Sequence, residues 1–129
     1  MNLWTATTAP LNITSMPGPP DRADVAIVGG GYTGMAAARA LASHGVDTVV
    51  LERETLGWGA SSRNGGFVLP GYKAEVAALA RRFGLERARA LWRFSLDSVD
   101  FVERVIAQEH IDCDFRRCGH VALAARPSH

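Results

Sequence analysis

An α/β fold is predicted by three features of the 129-residue sequence. They are an apolar run at Asp24–Val28, a glycine-rich turn opening an alanine-rich stretch, and a second apolar run at Thr48–Leu51. Asp24-Val25-Ala26-Ile27-Val28 shows no polar–apolar alternation, which predicts a strand covered on both faces. Glycines follow at 29, 30 and 31. Thr33–His44 is rich in alanine, the best helix former, and Gly45 is a natural stop. Thr48–Leu51 predicts a second strand, ending at Glu52. Strand, helix and strand in this order have the length of a βαβ unit, with parallel strands and a right-handed crossover.

The flanking segments differ in character. Residues 1–22 predict an unanchored tail, because Met16-Pro17-Gly18-Pro19-Pro20 can hold neither helix nor central strand. Trp4 and Leu11 are the two residues there that could dock on a surface. Residues 54–71 carry Gly57, Gly59, Ser61, Ser62, Gly65, Gly66 and Gly71, the composition of a loop with one short helical turn. Val76, Leu79, Ala80 and Phe83 then recur at helical spacing, and Gly84 ends the pattern. A longer amphipathic helix is predicted from about Leu85 to Glu109, with a charged, solvated opposite face. Cys113–Arg116 and Val121–Ala124 predict strands, interrupted near Gly119. The chain thus divides into a tail (1–22), a βαβ unit with its glycine-rich loop (23–71), and a helical segment with the first strands of a further sheet (72–129).

Composition narrows the functional classes. Fourteen Lys and Arg stand against 13 Asp and Glu, a balance unlike the basic excess of a dedicated nucleic-acid binder. Cys113 and Cys118 cannot build a disulfide scaffold, and their C-x4-C spacing does not match a zinc knuckle. They predict small structural residues and no metal. No run is long enough for a membrane helix, and the start shows no basic-then-apolar leader. The expectation is a soluble cytoplasmic protein without nucleic-acid or membrane partners.

The turn after the first strand carries the chemistry. In Gly29-x-Gly31-x-x-Gly34, Gly29 allows a sharp exit from the strand, and Gly31 lets a pyrophosphate approach the backbone. Gly34 lets the helix lie close on the sheet. Free amides at the helix start, around Tyr32 and Thr33, then face the phosphates with the helix dipole behind them. Glycine-rich turns are common, so the context decides. An apolar run precedes this one, a helix follows, and Glu52 closes the second strand 18 residues beyond Gly34. A carboxylate there accepts hydrogen bonds from an adenosine ribose. Arg53 beside it could favour a 2′-phosphate, but Glu52 would repel one. A free ribose, as in FAD or NAD, is therefore expected. The loop Gly57–Gly66 offers close-approach glycines and Ser, Arg and Asn donors. It suits a cofactor that extends past the first turn, as FAD does.

Asp24–Gly34, Leu51-Glu52-Arg53 and Gly59-Ala60-Ser61-Ser62-Arg63-Asn64-Gly65-Gly66 together resemble one group of flavoproteins. These are the FAD-dependent amine and amino-acid oxidoreductases of the D-amino-acid oxidase type. The Ser-Arg-Asn-Gly-Gly segment most resembles the gamma-glutamylputrescine oxidoreductase branch, as do Trp4, Pro17–Pro20 and Ile111–Val121. The resemblance implies a Rossmann-like FAD-binding fold. Gly29, Gly31, Tyr32, Thr33 and Gly34 would hold the pyrophosphate, and Glu52 with Arg53 would lie at the ribose. Ser61, Ser62, Arg63, Asn64 and Gly65 would run along the phosphates and beside the flavin. Arg63 is either a phosphate contact or a loop-stabilising arginine. Some relatives attach flavin through a histidine in this loop. None is present, so non-covalent FAD is expected. His44 fits a helix-end cap, while His110 and His120 fit structural or surface roles.

The implied reaction is oxidation of a CH–NH bond in a small amine or amino acid by hydride transfer to flavin, with the cofactor supplying the chemistry. A Ser61 or Ser62 nucleophile is not expected, since neither has a G-x-S-x-G setting. Family members extend well past the position of Ala125. The expectation is therefore an N-terminal piece of an incomplete fold, inactive alone. Two alternatives stay open: a non-catalytic nucleotide-binding or interaction module, and part of an NAD(P)-dependent reductase.

Overall fold

The computed structural model describes residues 3–8, 18–121 and 123. The chain divides after Gly66 into two compact units. In the first, α1 (Leu3–Thr7) is followed by β1 (Val25–Val28), α2 (Tyr32–Ala42) and β2 (Thr48–Leu51). A single 3-10 turn, Ala60–Ser62, follows in the loop. β1 and β2 pair in parallel, Val25 opposite Thr48 and Val28 opposite Leu51. The Gly29 amide extends the ladder by donating to the Leu51 carbonyl at 2.8 Å. Parallel pairing requires a crossover, and α2 supplies it.

In this unit the predicted strands and helix form with small shifts at their ends. α2 begins at Tyr32 and ends before Ser43. The His44 ring Nδ1 lies 2.7 Å from the Ala40 carbonyl oxygen, which satisfies one orphan acceptor of the last turn. One expectation for β1 is corrected. Val25 and Ile27 are half-buried while Ala26 and Val28 face out, and Val28 is 87% exposed. Among the described residues the sheet has two strands and one flanking helix, and these can cover only one face. Within the expected tail, Leu3–Thr7 is helical and Trp4 is tied to the loop after β2. Leu11 lies outside the described residues.

The second unit is built on α3 (Val76–Phe83) and α4 (Leu85–Gln108). Gly84 alone separates them, at φ +83° and ψ 158°. That backbone state is essentially reserved for glycine, so one residue turns the chain from one helix into the next. Ala88, with no exposed surface, and Ser95 are the buried residues of α4. The Ser95 hydroxyl donates to the Trp92 carbonyl at 2.7 Å. Before α3, the Tyr72 hydroxyl donates to the Leu91 carbonyl at 2.9 Å. α4 ends as His110 takes a left-handed conformation and the Ile111 amide returns to the Ile106 carbonyl, the geometry of a Schellman stop. Arg117 then pairs with Asp100 at 2.7 Å and with Glu103.

The strand expected over Cys113–Arg116 does not form, and 111–121 is irregular. A strand is stable only beside another, and none accompanies this segment among the described residues. Of the strand expected over Val121–Ala124, Ala122 and Ala124 lie outside the described residues.

Candidate functional site: the turn between β1 and α2

The site is organised around a residue that the spacing rule does not single out. Gly30, the middle glycine, is buried. Its amide donates to Glu52 Oε2 at 2.7 Å, and its carbonyl accepts the Gly57 amide at 2.9 Å. One residue thus joins the turn, the end of β2 and the loop beyond. A Cβ at Gly30 would collide with the Leu56 side chain and crowd Glu52. The signal was available in sequence, since three consecutive glycines leave the middle one without a role in G-x-G-x-x-G.

The flanking glycines are also closely packed. A Cβ at Gly34 would strike the backbone carbonyl of Gly29, so α2 lies on the exit of β1 as closely as a helix can. A Cβ at Gly31 would stand 3.0 Å from the Ser61 hydroxyl. That hydroxyl accepts the Tyr32 amide at 3.1 Å. Ser61 thereby brings the loop to the first turn of α2, where amides have no partner within the helix.

Glu52 is half-buried and held from two sides, its Oε1 accepting the Glu54 amide at 2.9 Å. The Glu54 and Gly30 amides hold its carboxyl below the usual carboxylate value of 4.5. It therefore stays ionised and can accept from a further donor such as a ribose hydroxyl.

The remaining predicted residues take different places. Arg53 reaches Glu54 at 3.2 Å and is largely exposed. Arg63 lies over the Trp58 ring, 4.3 Å from its centroid. Here it stabilises the loop by cation–π attraction. Asn64 folds inward on its own loop. Its side-chain amide donates to the Ala60 and Ser61 carbonyls at 3.1 and 2.9 Å, and its Oδ1 accepts the Gly66 amide at 2.8 Å. Ser62 is half-buried, while Tyr32, Thr33 and Gly65 are exposed. The structure thus gathers Gly29, Gly30, Gly31, Gly34, the Tyr32 amide, Glu52 and Ser61. Arg53, Arg63 and Asn64 are engaged with neighbouring loop groups.

A backbone cradle that side chains would fill, a helix start and an ionised carboxylate at the end of β2 fit the ADP half of a dinucleotide. Comparison with known proteins decides which kind. The family model for the FAD dependent oxidoreductases of the DAO type matches residues 24–129. The chain belongs to this family. FAD is accordingly the family's cofactor, and the β1–α2–β2 unit corresponds to the N-terminal FAD-binding region of a DAO-type fold.

Gamma-glutamylputrescine oxidoreductase of Escherichia coli is 40% identical to the chain over 96 residues. That match covers 74% of this chain and 22% of the relative. The Probable oxidoreductase OrdL of Haemophilus influenzae is 35% identical over 104 residues, covering 81% of this chain and 24% of the relative. The protein of the same name from Rhizobium meliloti is 37% identical over 94 residues, covering 73% of this chain and 22% of the relative. The chain therefore spans less than a quarter of the length of these relatives. No solved structure gives a significant match. No helix among the described residues is long and apolar enough to cross a membrane.

Proposed function

We propose that this chain forms the pyrophosphate- and ribose-binding part of a flavin-dependent oxidoreductase that acts on the CH–NH bond of a small amine or amino acid. The observation that carries the proposal is the Gly30–Glu52 hydrogen bond, which sets a glycine turn and an ionised carboxylate side by side. In this reading Gly29, Gly31, Gly34 and the Thr33 amide hold the phosphates, with the Tyr32 amide shared between them and the Ser61 hydroxyl. Glu52 accepts the ribose hydroxyls, and Ser61, Ser62, Arg63, Asn64 and Gly65 line the path towards the flavin. FAD is held non-covalently, because the loop contains no histidine. Bound FAD supplies the oxidant, and the residues of this chain bind and orient it. The amine substrate class rests on the likeness to gamma-glutamylputrescine oxidoreductase. The 129 residues do not oxidise amines by themselves, a reading supported by matches that cover less than a quarter of each relative.

Gel filtration after incubation with FAD, with NAD as comparison and ADP as competitor, tests this proposal. Retention of FAD that ADP displaces, without amine oxidation, is the expected outcome. Retention of NAD and not FAD would move the chain to the nicotinamide enzymes. Binding of ADP without flavin would favour a non-catalytic nucleotide module, and turnover of an amine would contradict the inactivity.

A further inference from the structure

Trp4 stands 60 positions before the loop it touches. Its indole Nε1 donates to the Asn64 carbonyl at 2.7 Å. Its six-membered ring lies against Gly66, where a Cβ would approach the Cζ2 and Cη2 atoms to 2.7 Å. Gly66 sits at φ +71°, so glycine there meets two demands at once: a left-handed backbone and room for the indole. The indole is two-thirds covered, with 36% of the residue exposed. From the other side, the Asn64 side chain holds the Gly66 amide and the Ala60 and Ser61 carbonyls. Ser61 in turn meets the Tyr32 amide at the start of α2. A continuous series of contacts therefore runs from Trp4 through the Asn64–Gly66 turn to the phosphate-binding helix start.

We propose that Trp4 is a positioning residue for the cofactor loop: its indole fastens the Asn64–Gly66 turn in the form that sets Ser61 at the amides of α2. This rests on the reading of that loop and turn as the FAD site. Trp4 touches no cofactor in this account and acts through Asn64 and Gly66. A tryptophan suits the role because it pairs a flat apolar face with one N–H donor. Phenylalanine keeps the face and loses the donor, and alanine loses both.

The test uses the 129-residue chain and its Trp4→Phe and Trp4→Ala variants, with Ser98→Ala on α4 as control. Amide hydrogen exchange is followed at Gly66 and Gly30, and FAD affinity is measured separately. Exchange at Gly66 should rise in Trp4→Phe by about threefold to tenfold, the worth of one hydrogen bond, and further in Trp4→Ala. Gly30, held by Glu52, should keep its protection, which separates loop release from general unfolding. FAD affinity should fall in the same order, with the control unchanged. Unaltered Gly66 exchange in Trp4→Ala, or raised exchange with unaltered FAD affinity, would overturn the positioning role alone. Failure of the unsubstituted chain to bind FAD would overturn the cofactor-site reading and the positioning role with it.

Discussion

Glycine serves different purposes in the close-packed turn after β1 and in the link between α3 and α4. In the turn after β1, Gly30, Gly31 and Gly34 are glycine because other atoms occupy the space of a side chain: Leu56, the Ser61 hydroxyl and the Gly29 carbonyl. Between α3 and α4, Gly84 has open space within 4 Å of its missing Cβ, and its backbone angle alone demands glycine. The first kind brings backbone amides close to one another and to whatever binds there. The second only redirects the chain. Exposed apolar surface is common to both units, with Val28 87% exposed in the first. In the first unit the contacts that organise the site are polar and local to the turn. In the second, α4 leaves Phe94 66% exposed, and with Phe101, Asp97 and Ser98 this residue lines a shallow cavity of about 270 Å³. A site can thus be well defined in a chain with little core, provided that backbone packing and a few hydrogen bonds define it.

The largest effect should come from Gly34→Ala. The added methyl meets a backbone carbonyl that cannot step aside, so α2 must lift from β1. A loss of about 3 kcal/mol is expected, read by urea unfolding, together with loss of FAD binding. An unchanged denaturation midpoint would show that close approach does not govern this turn.

Gly84→Ala should cost less, about 1–2 kcal/mol, because only backbone strain opposes it. The loss should appear in helix content by circular dichroism, with FAD affinity retained. A cost equal to that of Gly34→Ala would erase the distinction between the two kinds of glycine.

The smallest effect is the titration of Glu52. Its folded value lies below 4.5 because the Glu54 and Gly30 amides favour the carboxylate. The ionised group therefore supports the fold above the unfolded value, and this support is lost as pH falls through the lower folded value. The Gly30 amide resonance should titrate with a midpoint below 4.5. A midpoint at or above 4.5 would mean that the Gly30–Glu52 bond is not maintained in solution.

Much of this was legible in the sequence, for local reasons. α3 begins and ends where the Val76–Phe83 spacing and Gly84 place it, and β2 matches Thr48–Leu51. The fingerprint glycines and Glu52 come together because a βαβ unit can bring its first turn and second strand end together in only one way. The illegible parts depend on distant partners. Trp4 lies in a five-residue helix with no periodicity to detect, and its partner is 60 residues away. Arg63 and Asn64 announce donors, but their targets, Trp58 and the loop carbonyls, are set by how the loop closes. The apolar run of β1 suggested cover on both faces, yet Val28 is exposed because burial depends on how many elements stack on the sheet. Cys113–Arg116 has strand composition but, among the described residues, no neighbouring strand to pair with.

In the proposed function, the turn between β1 and α2, closed by Glu52, is the dinucleotide site. Amide chemical shifts of the isotopically labelled chain, recorded while FAD is added, test it most directly. Saturable shifts should concentrate at Gly30, Gly31, Tyr32 and Ser61, with the amides of α3 and α4 unmoved. Shifts confined to α4, or none at the turn at saturating FAD, would contradict it.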